Sequence, residues 1–366
     1  MSVPDRCFAE GREAASARTL RHRIWRELPA DTFTACTGRA FIACAIATAI
    51  GVASVVLATV PLPMAVCLGL SVVTGCLYGS LFFLGHEAGH GSIVRQRNRQ
   101  EVLMWIAFVI FLLPPTLWRV WHNKVHHGQT NQPDYDPDNF GTLASYRQFR
   151  SIRIAAAFTP GSGRWISLLY LPTWFTVHSQ IVLWGQSRRC RGFESLNRSR
   201  ATGESLVMAA LWIGLAAGIG AWSSMLVIVL PMMIANSIIM SYIVTNHLLR
   251  PLGDGADTLG TSMSVTTHPW MDVIHFNFSH HVEHHLFPAM SPRYAPLVRA
   301  KLRRYAGDRF MAPPHLRALG LVFRTPRIHD EHALVDPARG RSVPFADVER
   351  AVVSGLGTCH PKRGEP

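Results

Sequence analysis

The sequence has 366 residues, of which 48% are hydrophobic and 16% are Asp, Glu, Lys or Arg, against about 25% charged residues in ordinary soluble domains. All of the charged residues lie in residues 1–39, 85–204 and 247–366, so residues 40–84 and 205–246 carry none. This partition argues against a soluble enzyme. Because about 20 apolar residues span the hydrocarbon core of a bilayer, each uncharged block is long enough for two crossings.

The formal net charge is +13, and no recognisable nucleic-acid-binding motif accompanies it. With four crossings, the three charged blocks lie on one side of the membrane. Lys and Arg are concentrated on the cytoplasmic side of membrane proteins, which predicts cytoplasmic termini and argues against nucleic acid as the partner. The seven cysteines are scattered without a CxxC pair, so neither a disulfide framework nor a thiolate metal site is expected.

The predicted fold is an all-α integral membrane protein with two helical hairpins. A cytoplasmic segment 1–39 precedes a membrane domain 40–310, and a polar, partly disordered tail follows over 311–366. The four predicted transmembrane helices cover about residues 40–60, 64–84, 205–221 and 225–246. Two further apolar stretches, 102–118 and 165–185, are short or interrupted by polar residues, which favours interfacial or re-entrant helices.

All eighteen histidines lie in the charged blocks, and three clusters stand out. The clusters are His86 and His90 in HxxxH, His122, His126 and His127 in HxxxHH, and His281, His284 and His285 in HxxHH. Residues four apart share a helix face, which predicts that His122 and His126 point to the same metal ion, as do the two histidines of the first cluster. Adjacent histidines are rotated by about 100°, so each pair is able to serve two neighbouring ions. Imidazole suits Fe, Zn, Cu or Ni, and this many neutral ligands indicate an O₂-activating di-iron centre.

These boxes, their order and the four predicted crossings resemble the membrane fatty acid desaturase and hydroxylase family over about residues 40–300. The resemblance implies two hairpins with a cytoplasmic helical cap that carries the boxes. It implies that the eight box histidines are di-iron ligands, and that His247, at the end of the fourth helix, is a further ligand. The alternative for His247 is a histidine that stabilises the C-terminal end of that helix.

Polar residues in and near the boxes are candidates for orienting the ligands through hydrogen bonds to ring N–H groups. These candidates are Glu87, Glu283, Asn277, Asp134, Asp138 and His280. The spacing of His280 to His284 equals that of His281 to His285, so the sequence leaves the register open. The aspartate-rich loop is not an EF-hand, because Asn139 and Ser145 replace the required Gly and Glu. His178, His315 and His329 are expected to face solvent.

The family resemblance implies that the protein introduces a C=C double bond into a fatty acyl chain, with O₂ as co-substrate. The run from His281 to Pro288 is similar to that of acyl-lipid desaturases. An apolar tunnel would hold the chain, with candidate walls at residues 105–118 and 165–184. No motif for a nicotinamide, iron–sulfur or haem group is present, so a separate ferredoxin or cytochrome b5 is the expected electron donor.

Two alternatives stay open at this stage. The first is a membrane di-iron hydroxylase or ketolase that acts on a lipid, carotenoid or alkane. The second is a non-enzymatic membrane metal or haem protein, although such proteins place their ligands within the crossings, and the uncharged blocks contain no histidine. Arginine greatly outnumbers lysine, which favours a bacterial source and hence the inner membrane.

Overall fold

The computed structural model describes residues 17–253 and 257–354, which form a mainly helical protein with one small sheet. In chain order the helices are α1 Ala17–Arg26, α2 Gly38–Thr59, α3 Met64–Gly89, α4 Arg97–Phe108, α5 Pro115–Val120, α6 Leu143–Gln148, α7 Arg150–Phe158, α8 Tyr170–Trp184, α9 Arg198–Ser224, α10 Leu230–His247, α11 Thr258–Thr261, α12 Pro269–Ile274, α13 His281–Leu286, α14 Ala295–Ala306, α15 His315–Arg324 and α16 Phe345–Val353.

Shorter elements connect these helices. The π-helical turns are Trp121–His126 and Met225–Val229, and the 3₁₀ turns are Ala30–Phe33, Val109–Phe111, Trp165–Leu169, Gln186–Arg188, Pro292–Tyr294 and Gly307–Arg309. Strands β1 Ile328–Asp330, β2 Ala333–Asp336 and β3 Arg341–Pro344 form an antiparallel sheet in the order β1-β2-β3. We call residues 90–197, 248–253 and 257–354 the cap.

Four helical stretches are long and apolar enough to cross a membrane: Gly38–Thr59, Met64–Gly89, Trp165–Arg188 and Arg198–His247. The last of them has 50 residues and contains Gly220 at φ 78°, a conformation that a continuous helix does not allow. Both of its ends meet the cap, since Glu204 accepts a hydrogen bond from Thr116 and His247 contacts His281. Helices α9 and α10 therefore form the second hairpin, and the predicted integral membrane fold is confirmed.

Helix α8 also qualifies as a span by length and hydropathy, but both of its ends contact other parts of the cap. The ring of Tyr170 lies 6.0 Å from that of Phe140, and Gln186, just past the other end, donates to the carbonyl of Pro137. A helix that crossed the membrane would have its ends on opposite sides. The other predicted interfacial stretch bends by 108° between Arg97–Phe111 and Pro115–His126.

The C-terminal region differs from the predicted disordered tail. Residues 311–354 contain α15, the sheet and α16, and Val322, Leu334 and Val348 are buried in the main hydrophobic core. Both helices are amphipathic, so they gain stability by burying one face. The three short strands of the sheet are a small addition to a mainly helical fold. Residues 1–16 and 355–366 of the two predicted terminal segments lie outside the described residues.

Close packing of α3 on α10 places the ends of these helices side by side. A Cβ atom added to Gly75 would lie 2.7 Å from the Cβ of Ile234 and 2.9 Å from the carbonyl oxygen of Pro231. Small residues allow this approach between transmembrane helices. Near the cap, Phe82 and Phe83 of α3 are fully buried among further aromatic rings.

We predict that Gly75→Ala destabilises the protein by about 1–3 kcal/mol, because the new methyl group overlaps α10. Gly69 lies on the same helix, and a Cβ atom added to it would have no neighbouring atom within 4 Å. Gly69→Ala is therefore the matched control and should be neutral or stabilising. The midpoint of thermal unfolding in detergent measures the difference in stability. The fraction of folded protein after heating is determined by size-exclusion chromatography. Equal midpoints for the two variants would contradict the close helix contact.

Candidate metal centre

Four segments bring the predicted histidines together at the membrane end of the cap. Helix α3 ends beside His90, the π-helical turn carries His122 and His126, α10 ends at His247, and α13 begins at His281. Because α3 runs to Gly89 rather than ending near residue 84, the first box lies on the last turn of a transmembrane helix. Segments that are far apart in the sequence therefore meet at one point.

The nine histidines form two groups. His86, His90, His122, His127 and His284 form the first group, and His126, His247, His281 and His285 form the second. Within each group, one nitrogen from every residue lies within 4.8 Å of the others. Each adjacent pair is split between the groups, as the helical rotation of about 100° requires.

The partner of His122 differs from the prediction. The sequence predicts that His122 and His126 point to the same metal ion, but they belong to different groups, although their rings stack with centroids 5.2 Å apart. Trp121–His126 is π-helical, and its wider turn also brings residues five apart onto one face. Accordingly, the Nε2 atoms of His122 and His127 lie 3.1 Å apart.

The donor set fits metal ions. Nε2 atoms face each other at 2.9 Å between His86 and His122 and at 2.6 Å between His247 and His281. Other ring nitrogens, including Nε2 of His90 and His285, are buried without a hydrogen-bond partner. Buried polar atoms need partners, and a metal ion within each group would supply them.

The protonation state of three of these rings also favours metal binding. Burial, followed by the proximity of other imidazoles, holds the pKa values of His127, His284 and His285 well below the ordinary value. These rings are therefore neutral at physiological pH. A neutral imidazole offers the lone pair that a metal ion needs.

Carboxylates outside the two groups fix the orientation of individual rings. Nδ1 of His126 donates to Asp136 at 3.0 Å and lies 3.1 Å from Asp138. Nδ1 of His86 lies 3.3 Å from Glu87, which also accepts a hydrogen bond from Ser92. A hydrogen bond at Nδ1 leaves Nε2 free to bind metal.

Other predicted orienting residues lie elsewhere. Asp134 is exposed, and its backbone carbonyl accepts a hydrogen bond from the N–H of Arg191. Glu283 is paired with Arg299 at 2.6 Å rather than with an imidazole. Asn277 donates to the carbonyl of Pro292.

The structure shows whether His280 or His281 of the third box lies with the other histidines. His281 belongs to the second group, whereas His280 contacts Ser279 and belongs to neither. His280 instead lines a smaller cavity together with Glu87 and His284.

A larger cavity reaches both histidine groups. Its histidine wall includes His86 and His122 from the first group and His126, His247 and His281 from the second. The rest is mainly apolar, with Phe82, Trp118, Phe175, Met240 and Ile243 among the lining residues. Of the predicted walls, Trp118 and Phe175 line it, whereas Trp165 and Trp184 are exposed.

Several buried residues of the site were not predicted from the sequence. Asp136 was overlooked as an individual ligand-orienting residue. His178, expected in solvent, lines the cavity and lies 3.6 Å from Asp138. His315 is partly buried, and His329 is buried and donates to the carbonyl of Arg250.

Comparison with known proteins agrees with this geometry. Residues 59–314 match the family model for fatty acid desaturases. The chain belongs to the fatty acid desaturase family. Among curated relatives, it is 23% identical over 245 residues to the sn-1 oleoyl-lipid 12-desaturase of Synechocystis sp., with 64% of this chain and 67% of the relative matched.

Two further relatives carry related names. The Delta 8-(E)-sphingolipid desaturase of Emericella nidulans is 25% identical over 61% of this chain, and the match spans 46% of that protein, which is less than half its length. The sn-1 acyl-lipid omega-3 desaturase (ferredoxin) of Synechocystis sp. is 32% identical over 18% of each chain. The named relatives are thus lipid desaturases, at low identity.

We predict that Asp136→Asn weakens metal binding by about 10–100-fold, because the acceptor that holds His126 is replaced by an amide. Asp134→Asn in the same loop removes an equal charge from an exposed position and is the matched control. Metal content after dialysis against a graded series of chelator concentrations measures the effect. Equal metal retention in both variants would mean that Asp136 does not support the site.

Proposed function

We propose that the protein is an O₂-dependent fatty acyl desaturase that acts on acyl chains of membrane lipids. The nine histidines of the two groups are the proposed ligands of two iron ions. The observation that carries the proposal is the mainly apolar cavity whose wall contains histidines from both groups. Family membership and the names of the relatives support it.

Bound iron, with O₂, would supply the oxidising power that removal of hydrogen from an unactivated methylene requires. The protein's own contribution is to hold the substrate and exclude water. Phe82, Trp118 and Phe175 form an apolar surface beside the histidines. An extended methylene chain fits such a surface, and a fixed chain position determines which bond lies next to the metal centre.

Hydrogen bonds and ring stacking hold the ligand side chains in fixed orientations. Asp136 is buried and accepts a hydrogen bond from Nδ1 of His126, so Nε2 of that ring points away from the loop. Trp118 stacks on His122 with ring centroids 4.1 Å apart, which restricts rotation of that ring. Such contacts keep the positions of the ligand side chains constant while the substrate is converted to product.

The electrons must come from a separate donor, for which we propose a ferredoxin or cytochrome b5. One relative is named as ferredoxin-dependent. We place the cap and the histidines on the cytoplasmic side, because the positively charged blocks lie there under the positive-inside rule. A bacterial inner membrane is the proposed location.

We predict that cells expressing the protein gain a new double bond in their fatty acids, and that His90→Ala, His126→Ala or His285→Ala abolishes it. His332 is exposed, so His332→Ala is the control and should retain activity. Fatty acid profiling by gas chromatography with mass spectrometry measures the product. All variants should still be found in the membrane fraction.

The product and the metal distinguish the alternatives. A hydroxylated fatty acid without a new double bond would contradict desaturation. Purified protein should contain about two iron ions per chain. Haem absorption, or zinc alone, would contradict the proposed centre.

A second prediction tests the cavity separately from the metal. Ile243 lines the cavity, so Ile243→Trp should reduce double-bond formation at least about tenfold by filling the space for the chain. Ile213 is 70% exposed on α9, and Ile213→Trp is the control. Both variants should keep the iron content of the wild type. Unchanged product in Ile243→Trp would show that the acyl chain does not occupy this cavity.

A further inference from the structure

The segment from residue 139 to residue 193, here called the arginine segment, has an unusual charge pattern. It contains seven arginines and no Asp or Glu. Helix α7 and the turn Trp165–Leu169 belong to it and carry large apolar side chains on the surface. Ile154 is 62% exposed and Trp165 is 77% exposed.

The apolar and positive side chains share one region of the surface. Phe149 and Leu168 are also exposed, and Arg150 and Arg164 are exposed next to Phe149 and Trp165 in the chain. Soluble surfaces rarely combine large apolar groups in this way. Arginine with Trp, Phe and Leu is the composition of helices that lie in the interfacial layer of a bilayer.

The arginines differ in their contacts. Arg153 donates to the carbonyls of Tyr146 and Arg147, so its guanidinium supports the local fold. Arg147, Arg150 and Arg164 are exposed, and none forms a salt bridge with a carboxylate within residues 17–253 and 257–354. Their guanidinium groups are therefore available to an external anion, and phosphate is an anion that arginine binds in a fork geometry.

The same segment forms a wall of the large cavity. The ring of Phe158, at the end of α7, lies 5.8 Å from both Tyr170 and Trp174, and the latter two line the cavity. Through Phe158, the arginine segment therefore packs on two of the residues that line the space proposed for the acyl chain.

We propose that the exposed face of α7 and of Trp165–Leu169 lies in the headgroup layer of the membrane and binds the phosphate of anionic phospholipids. Arg147, Arg150 and Arg164 hold the phosphate, and the neighbouring apolar side chains enter the upper acyl region. Resting on the proposed function, this assigns the substrate class: acyl chains still esterified to an anionic phospholipid, presented from the leaflet that faces the cap.

The test uses the full chain in phosphatidylcholine nanodiscs and the tryptophan fluorescence that brominated lipids quench. Brominated phosphatidylglycerol should quench the signal of Trp165 at a several-fold lower mole fraction than brominated phosphatidylcholine does. The difference should be about fivefold or more, which corresponds to one arginine at a charged membrane surface. Subtracting the signal of Trp165→Phe identifies the contribution of this residue.

Matched variants locate the effect. The triple variant R147Q/R150Q/R164Q should lose the preference for phosphatidylglycerol, whereas R303Q/R304Q/R350Q, with the same change of charge at exposed positions outside the arginine segment, should keep it. Equal quenching of the wild type by the two lipids, or a preference that survives the first triple variant, would overturn the proposal. The wild-type comparison alone decides the matter if that variant does not fold.

Iron content and double-bond yield, measured on the same preparations, separate this proposal from the proposed function. Equal quenching together with normal iron and product overturns the phosphate-binding surface and leaves the desaturase assignment intact. A clear preference for phosphatidylglycerol without iron or product supports the surface and overturns the desaturase assignment.

Discussion

The clustering of nine imidazoles, six of them buried and three half-buried, is the constraint on which the rest of the structure depends. Each ring has two nitrogens that need partners, and a buried ring without them is costly. The cap supplies partners on the outer side, as Asp136 does for His126. Asn131 joins the same loop to the end of α10 by donating to the carbonyls of His247 and Thr261. Metal ions would supply the partners on the inner side, so fold and site depend on each other.

The membrane and the cap have separate roles in this arrangement. Close contact between α3 and α10 at Gly75 brings two transmembrane helices together, and their ends deliver His86 and His247 to the same level. The cap then supplies the other ligands from short elements that could not stand alone. The cavity lies between these two parts, with a histidine wall and a mainly apolar remainder. A molecule that is apolar over most of its length matches such a space.

The sequence predicted the two hairpins and the convergence of the boxes, because charges and histidines avoid the same two blocks. It also predicted that adjacent histidines separate into two groups, which follows from helical rotation. It could not predict the partner of His122, because a π-helical turn has no signal in residue type. Nor could it separate Asp136 from Asp134, since one loop carries both and only backbone direction distinguishes them. The fold of residues 311–354 was missed because its apolar residues are spread over short helices and strands, none of which is long enough to give a clear periodic pattern.

The division of His126–His127 and His284–His285 between the two groups has a mechanical consequence. In each pair a single peptide unit joins a ligand of one group to a ligand of the other. Peptide units are rigid, so a shift of either segment displaces ligands in both groups at once. The distance between the two groups is thereby held by covalent geometry as well as by packing. Two ions bound there would behave as one unit, and damage to either half would be transmitted to the other through two covalent links.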